Sequence, residues 1–418
     1  MRFYGIIYSI IFSFMSLNNS KKIYLVVPKL IEQPTWGGDY IVTAKKWGAK
    51  KEFKSKMIGQ SYELFSESKL RSDLDSSDDP NFTGEIGYAM EPDVVKYSGR
   101  KNVLLPIGSL IKKDPIKFLG KTALKKHGPK IKILIKFTQS NGNSFQIHVK
   151  ENANTNKWQA KPESWYFLEP GRITLGVKKH VDWKKYKSAL IKINKYVESL
   201  SRKIIRGAIS LQAAKNESKK FVAEMKPYQY VNEIWTKKGE LIDLSQGGVH
   251  HSWEDNDKIV PSGNIVYELC LNVMDPVSVL RSCDKGKIKP DGSLRKLNIE
   301  DYFKYIDRSA KNNDPKNLKI SKKILTNSGP VRVEALLRTK YYSMDRLVIA
   351  KKYAGEYSKT DESYNHLFIL SGKVKISTVD QKMIVGEGHS CFLPAGIKKY
   401  ELEPIGKTPV EILKTFVQ

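Results

Sequence analysis

The chain places short strand-like runs on both sides of one long helical pattern, and this order restricts the folds open to it. From Lys22 to about Gly176, runs such as KIKILIKF and SFQIHV are separated by Gly, Pro, Asn and Asp. Short apolar or alternating runs with such breaks predict strands of a sheet-rich domain. Strand-like sequence resumes in NEIWTKKGELIDL and again beyond residue 330. The pattern predicts two all-β modules with a helical insert in the first.

The helical pattern begins near residue 183. Its apolar residues recur at spacings of four and three, which is the stripe of an amphipathic helix. We expect this helix to cover one face of the sheet, although a coiled-coil partner surface is the alternative. Pro227 closes the helical region. The stripe consists of Tyr186, Leu190, Ile193, Val197, Leu200 and Ile204.

The formal charge of +28 at pH 7 raises the question of a nucleic-acid partner. Lysines far outnumber arginines and are spread along the whole chain. No zinc-finger, RNA-recognition or helix-turn-helix signature accompanies them. We therefore expect no nucleic-acid partner, and a field that attracts anionic small molecules such as sugar phosphates.

The three cysteines, Cys270, Cys283 and Cys391, have no C-x-x-C spacing. This sparse set fits a reduced compartment and excludes a disulfide scaffold. The apolar run within residues 1–20 is too short to span a bilayer and lacks an A-x-A cleavage site. It is either a weak signal-like segment or an extension, with Met15 as another possible start. We expect no membrane partner and a cytoplasmic protein.

One motif points to a β-barrel. Gly239, Gly247 and His250 have the spacing G-x7-G-x2-H, which is similar to the second signature of cupin barrels. Ser245 stands where that signature has proline. Glycine permits the tight turn between two strands, and the histidine then points into the barrel.

Three more polar residues fit the same barrel. Gln146 and His148 share one face of a strand because side chains alternate with period two. Glu163 comes from the neighbouring strand, which ends near Gly171. Together with His250 they form a nitrogen and oxygen ligand set for a divalent metal, which suits zinc and is compatible with iron or manganese. Taken singly, each is more simply a solvated or packed polar side chain.

At this point the chain resembles a known family, the class I (type I) mannose-6-phosphate isomerases, also called phosphomannose isomerases. The similarity extends from residue 22 to 418, with the segments in the family's order. The segments that carry it are PTWGGDYI, IGQSYELFS, LIKF followed by SFQIHV, KPESWYFL, GGVHH and DGSLRKLNIE.

The resemblance implies a mainly β fold with two cupin (jelly-roll β-barrel) domains and an α-helical insert. It implies one Zn²⁺ per chain, held by Gln146, His148, Glu163 and His250. It also implies an aldose–ketose isomerase that interconverts mannose 6-phosphate and fructose 6-phosphate through an enediol(ate). The expected domains are an extension (1–20), a catalytic cupin (21–182 and 230–308), the helical insert (183–229), a linker (309–330) and a C-terminal cupin-like domain (331–418).

Four residues are expected to act on the sugar phosphate. Lys161 precedes Glu163 by two positions, so it projects to the same face and can shuttle a proton. Arg281 and Arg295 are the two candidates for a phosphate clamp. Glu268 is a carboxylate of the site, an orienting acceptor or a structural strand residue. Each of the four is otherwise an ordinary surface or strand residue.

The chain departs from the family's pattern at two places. LCLNVMDPVSVLR replaces the family's glutamine-rich stretch, and HSWEDNDKIVPSG is longer than the usual link after the histidine. Two alternatives stay open for this reason: a cupin isomerase for another sugar or sugar phosphate, and a catalytically silent sugar-binding cupin. The basic charge keeps a nucleic-acid-binding protein open as a third alternative. The chain is expected to be a monomer or a small homo-oligomer.

The C-terminal module keeps only the frame of the barrel motif. Gly388, Pro394 and Gly396 fit the turn, but Lys399 stands where the histidine would be. We expect this barrel to be metal-free and structural. His366 and His389 are expected to be surface or core residues rather than ligands.

Overall fold

The computed structural model describes residues 19–88, 96–97, 104–245, 247–253, 260–356 and 362–418. All but the last two residues of the predicted N-terminal extension lie outside the described residues. No helix in the described part of the chain is long and apolar enough to cross a membrane. The chain divides into two compact units. The first contains the described residues up to Glu32, Asp39–Phe137 and Ser321–Gln418, and the second contains Gln33–Gly38 and Thr138–Ile320.

The N-terminal part of the first unit contains short strands and short helices. The helices include a stretch that begins after Asp114, whose side chain accepts a hydrogen bond from the backbone of Lys117 while Pro115 takes the first helical position. The strands are β1 (Tyr24–Val27), β2 (Lys29–Glu32), β3 (Ile58–Leu64), β4 (Lys69–Arg71), β5 (Glu85–Tyr88), β6 (Lys96–Tyr97), β7 (Leu105–Pro106) and β8 (Ile133–Ser140), and the helices are α1 (Tyr40–Ala44), α2 (Ile107–Lys113), α3 (Pro115–Leu119) and α4 (Lys121–His127).

The main segment of the second unit begins at Thr138, within strand β8. Its strands are β9 (Phe145–Ile147), β10 (Glu163–Phe167), β11 (Gly171–Val177), β12 (Val231–Thr236), β13 (Leu241–Asp243), β14 (His250–Ser252), β15 (Asn264–Leu271) and β16 (Leu280–Cys283). Its helices are α5 (Trp183–Ile205), α6 (Leu211–Met225), α7 (Asp275–Ser278), α8 (Ile299–Tyr305), α9 (Ala310–Asn313) and α10 (Pro315–Leu318).

Two groups of strands build the barrel of the second unit. One sheet has the order β12-β11-β14-β9-β16, and β13, β10 and β15 lie side by side in another. Helix α5 packs its apolar stripe into one core with Phe145, Ile147 and Leu280 of the first sheet. The predicted amphipathic helix and its packing on the sheet are therefore confirmed.

The remaining strands return to the first unit. They are β17 (Lys323–Asn327), β18 (Val331–Arg338), β19 (Ser343–Ile349), β20 (Tyr353–Glu356), β21 (Asn365–Ser371), β22 (Lys373–Ser377), β23 (Lys382–Gly386), β24 (Ser390–Leu393), β25 (Lys399–Pro404) and β26 (Val410–Phe416). One sheet has the order β17-β18-β19-β26-β21-β24-β1-β4-β7, and a second sheet has the order β20-β25-β22-β23.

The structure differs from the expected domain boundaries in two respects. Strand β1 pairs with β24, with Tyr24 opposite Phe392, so Tyr24–Val27 are part of the C-terminal barrel's sheet. Residues 309–330 form α9, α10 and β17 rather than an irregular linker. The side chains of Ser309 and Asp314 cap the two short helices, which gives these polar residues a local structural role.

Candidate metal centre

Three strand ends bring the candidate ligands together inside the second unit. Gln146 lies in β9 and is paired with His250, the first residue of β14. His148 follows β9 by one position, and Glu163 is the first residue of β10. The tight turn before β14 contains Gly247, which has a positive φ of 76°. The period-two placement of these side chains therefore results in a common inward direction.

The three strongest ligand types converge on one small volume. The Nε2 atom of His148 lies 3.1 Å from Oε2 of Glu163, and Nε2 of His250 lies 3.9 Å from Oε1 of the same carboxylate. All the ligand atoms of this trio lie within 4.8 Å of one another, and the three side chains are at most 2% exposed. Two imidazoles and a carboxylate at such spacings fit a divalent ion bound through bonds of about 2 Å.

The fourth candidate, Gln146, lies beside this trio. Its Nε2 atom is 3.2 Å from Nε2 of His250. Because the oxygen and nitrogen of an amide can exchange by a flip about the last bond, the same position can present the amide oxygen to an ion. The sequence analysis therefore selected four side chains that the fold does bring together.

Neighbouring groups orient the candidate ligands. Nδ1 of His148 lies 2.7 Å from the carbonyl oxygen of Ser278, which can only accept, so Nδ1 donates there and Nε2 is the ring nitrogen that faces Glu163 and would bind an ion. The indole N–H of Trp165 donates to Oε1 of Glu163 at 2.7 Å. The ring of Trp165 also contacts the ring of His250 edge-on, with centroids 5.6 Å apart. These contacts hold the ring planes and the carboxylate in place.

Burial and nearby charge set the protonation states. Burial is the main reason that the pKa of His250 is lowered to about 4; the charges of His148 and Lys161 act in the same direction, and Glu163 opposes them. Burial works to raise the pKa of Glu163, but its interactions with His148, Lys161 and His250 hold that pKa well below its usual range. The site therefore offers a carboxylate and a neutral imidazole at neutral pH, which are the forms that bind a metal.

Lys161 lies next to the candidate ligands and is almost fully buried. Its Nζ atom is 3.8 Å from Oε2 of Glu163 and 3.3 Å from Oδ1 of Asp275. Asp275 also accepts a hydrogen bond from Nη2 of Arg281 at 3.0 Å. Asp275 thus bridges the two cations, and the sequence analysis missed it. Its position at the start of α7, just before Pro276, is the one local signal that could have marked it.

The two candidate arginines occupy different surroundings. Arg281 lies in β16 directly opposite Gln146, and its pKa is lowered by burial against the opposing charge of Asp275. Arg295 lies 3.5 Å from Asp284 and lines a cavity of about 20 Å³ whose other wall is formed by Leu190 and further residues of α5. Arg281 is therefore the arginine beside the candidate metal centre.

Glu268 lies on the neighbouring strand β15, which pairs with β10. Its carboxylate accepts a hydrogen bond from the hydroxyl of Thr138 at 3.2 Å. Its ligand atom lies within 4.8 Å of those of Glu163 and Cys270, and all three side chains are buried. The structure therefore places Glu268 beside Glu163, and its role as a carboxylate of the site, an orienting acceptor or a structural strand residue stays a prediction.

The comparisons with known proteins agree with this architecture. Residues 334–410 match the family model of the mannose-6-phosphate isomerase cupin domain. No curated protein sequence matches the chain. Among solved structures, the mannose 6-phosphate isomerase from Bacillus subtilis superposes with a TM-score of 0.62 at 13% identity, covering 94% of this chain and 99% of that one.

Two further structures give the same picture. A zinc-bound mannose 6-phosphate isomerase superposes with a TM-score of 0.59 at 13% identity, covering 95% of this chain and all of that chain. A mutant phosphomannose isomerase from Salmonella typhimurium superposes with a TM-score of 0.59 at 13% identity, covering 95% of this chain and 99% of that chain.

These similarities define the class first: the chain is a mainly β protein with cupin barrels and a helical insert, as predicted. Its fold is that of the mannose-6-phosphate isomerases, and the family resemblance found in the sequence is confirmed at this level.

Proposed function

We propose that this protein is a metal-dependent aldose–ketose isomerase that interconverts mannose 6-phosphate and fructose 6-phosphate. The convergence of His148, Glu163 and His250 on one small volume carries the proposal. Gln146 completes the ligand set, and Zn²⁺, one per chain, is the ion that two imidazoles and a carboxylate suit best. A cation there would supply Lewis-acid stabilisation of the negative charge that develops on the sugar oxygens.

The reaction requires a proton to move between C1 and C2 of the open-chain sugar through an enediol(ate). Lys161 is the group best placed to hold or move that proton, because it is buried beside Glu163 and its ammonium group also contacts Asp275. Asp275 orients Lys161 and Arg281 together.

Arg281 is the proposed contact for the phosphate group. Its guanidinium fork can bind two phosphate oxygens, and its position opposite Gln146 keeps it close to the ligand set. Arg295 is the second candidate, one step further out beside Asp284. Glu268 is proposed as a buried carboxylate beside Glu163 that accepts hydrogen bonds from sugar hydroxyls. We further propose a cytoplasmic enzyme that acts as a monomer or small homo-oligomer.

A direct test offers purified protein with counted metal both mannose 6-phosphate and glucose 6-phosphate. The proposal predicts about one zinc per chain and turnover of mannose 6-phosphate in a coupled assay that detects fructose 6-phosphate. Turnover of another sugar phosphate instead would favour a related cupin isomerase. Bound metal with no turnover of any sugar phosphate would favour a silent sugar-binding cupin, for which the altered segment around Asp275 is the motivating feature.

A further inference from the structure

The outward face of helix α5 carries a row of cations. At about 100° per residue, seven lysines and arginines of α5 and its C-terminal cap fall within an arc of about 100°. Each of these side chains is exposed. We call them the α5 stripe: Lys184, Lys185, Lys192, Lys195, Arg202, Lys203 and Arg206.

The stripe lies opposite the buried face of the helix. Tyr186, Leu190 and Ile193 belong to the second unit's core, and their directions are centred about 150° from that of the stripe. The helix has 23 residues, which corresponds to a length of about 34 Å. The cations are therefore presented to solvent along one face of the helix, over about that length.

Few acidic groups of the described chain neutralise these cations. Lys185 lies 3.8 Å from the exposed carboxylate of Asp182, and no other ion pair of a stripe residue occurs among the described residues. Residues 183–226, which contain α5 and α6, have twelve lysines and arginines against three glutamates. Their net charge of +9 is about a third of the chain's +28 in about a tenth of its length. Like charges on one helix face destabilise the helix, so an external polyanion would relieve this repulsion.

The residues between the cations indicate which polyanion fits. Ser188 and Ser199 are the other residues within the arc. A helix that inserts into a lipid surface does so with apolar side chains, and the arc of the stripe has none, although Ile191 and Tyr196 lie about 20° outside its two edges and are partly exposed. Ile205 is 68% exposed but lies about 60° beyond the edge of the stripe. Lysine, arginine and serine side chains are the groups that contact phosphate oxygens of nucleic acids.

We propose that the α5 stripe binds the sugar-phosphate backbone of a nucleic acid without reading its base sequence. A length of about 34 Å corresponds to roughly one turn of a duplex, so a single helix face can follow the phosphates on one side. The sequence analysis expected no nucleic-acid partner because the lysines are spread along the chain. Folding gathers seven of the cations onto one line. This binding is independent of the proposed isomerase reaction.

The test compares two triple variants of the full chain. The first, K192Q/K195Q/K203Q, removes three charges from the α5 stripe, and glutamine keeps a helix propensity close to that of lysine. The matched control, K125Q/K351Q/K407Q, removes three exposed lysines of the first unit for which the described part of the chain shows no ion pair. Binding to fluorescent 20-base-pair DNA and RNA duplexes of mixed sequence is measured by anisotropy at several salt concentrations.

We expect the unmodified protein and the control to bind with a strong salt dependence. The stripe variant should bind at least about tenfold more weakly, and its slope of log K against log salt should be smaller by about 3, roughly one for each lost phosphate contact. Unchanged thermal unfolding and unchanged isomerase turnover would show that the variant is folded. Comparable binding to DNA and RNA supports recognition of the shared sugar-phosphate backbone. Binding to only one of the two identifies which nucleic acid the stripe binds.

Three outcomes would overturn the proposal. The first is that the unmodified protein binds neither duplex. The second is that both triple variants bind equally weakly, which would mean that net charge alone attracts the duplex. The third is binding to vesicles rich in phosphatidylserine, or to a poly-glutamate peptide, that exceeds binding to both duplexes and is lost in the stripe variant.

Discussion

A buried glutamate lies at the centre of a polar cluster in each of the two units, but the two clusters are built differently. In the first unit, Glu63 accepts hydrogen bonds from Nζ of Lys45 at 2.7 Å, from the hydroxyl of Ser61 at 2.6 Å and from the hydroxyl of Ser390. In the second unit, Glu163 contacts the Nε2 atoms of two histidines, whose other ring nitrogens face backbone carbonyls.

The partners of the two glutamates show which cluster is structural and which can bind a metal ion. The charge of Glu63 is neutralised by a lysine of its own unit, both side chains are fully buried, and Lys45 also donates to the carbonyl oxygen of Gly388. Glu163 instead combines with lone pairs on His148 and His250, a donor set for a cation. Glu63 is paired with a lysine of the same unit, so we assign it a structural role. Glu163 lies beside two imidazoles, so it can bind a metal ion together with them.

The largest expected effect is on the metal. His250→Ala should remove a ligand and reduce turnover of mannose 6-phosphate by about 10³-fold or more, because the charge stabilisation that the ion supplies is lost. Metal content measured by mass spectrometry should fall in parallel. Glu63→Gln is the matched change in the first unit, and it should retain metal and turnover while lowering the unfolding midpoint. Equal loss of metal in both variants would contradict the comparison.

The two buried lysines should separate stability from turnover. Lys45→Met leaves Glu63 as an uncompensated buried charge, which we expect to cost about 3–5 kcal/mol in the free energy of unfolding. Lys161→Met should unfold at nearly the same urea concentration as the unmodified protein, since Asp275 is half exposed and keeps Arg281 as a partner. Glu163 likewise keeps His148 and the indole N–H of Trp165. The turnover of this variant should fall by about 10²–10⁴-fold with metal retained.

Full turnover in Lys161→Met would remove this lysine from the chemistry. A conservative Lys161→Arg variant that keeps the charge but not the transferable proton should be as inactive as the methionine variant.

Acid should weaken the first unit through a histidine that is not near the candidate metal centre. Burial lowers the pKa of His366 to about 3, while an unfolded histidine titrates near 6.5. As the pH falls below about 6.5, His366 takes up a proton in the unfolded chain but not in the folded chain. The free energy of unfolding therefore decreases progressively below that pH. Between pH 7 and 5 this histidine should account for about 2 kcal/mol.

His366→Gln cannot take up that proton, so the difference in unfolding free energy between pH 7 and 5 should shrink by about that amount in urea titrations. The same dependence on pH in the variant would mean that His366 is already protonated, or solvated, in the folded protein.

The smallest expected effect distinguishes the two arginines. Arg281→Lys should raise the KM for mannose 6-phosphate by about tenfold, because a lysine cannot make the bidentate phosphate contact. Arg295→Lys should change KM by less than about threefold, since Arg295 pairs with Asp284 and lines a cavity against helix α5. The reverse order would place the phosphate at Arg295.

Much of the second unit could be predicted because its signals are local. The spacing of Tyr186, Leu190 and Ile193 predicts the buried face of α5, and those residues are buried. Alternation with period two is sufficient to direct Gln146 and His148 to one side of a strand. The turn before His250 contains Gly247 with a positive φ, and His250 then pairs with Gln146.

The rest depends on contacts between residues far apart in the chain. Strand β1 pairs with β24, and Lys45 meets Glu63 and the carbonyl of Gly388, although no local pattern marks these partners. Asp275 becomes part of the site because the fold places it between two cations, and the proline that follows it in the sequence marks only the start of a helix. The cationic row of α5 is also hidden in the sequence, where lysines occur throughout.

The most direct measurement is turnover of mannose 6-phosphate by protein whose metal is counted before and after chelation. The account predicts about one ion per chain, loss of turnover on chelation, and its return when Zn²⁺ is added back. Turnover that survives in the metal-depleted protein would contradict it, because His148, Glu163 and His250 would then have come together for another reason.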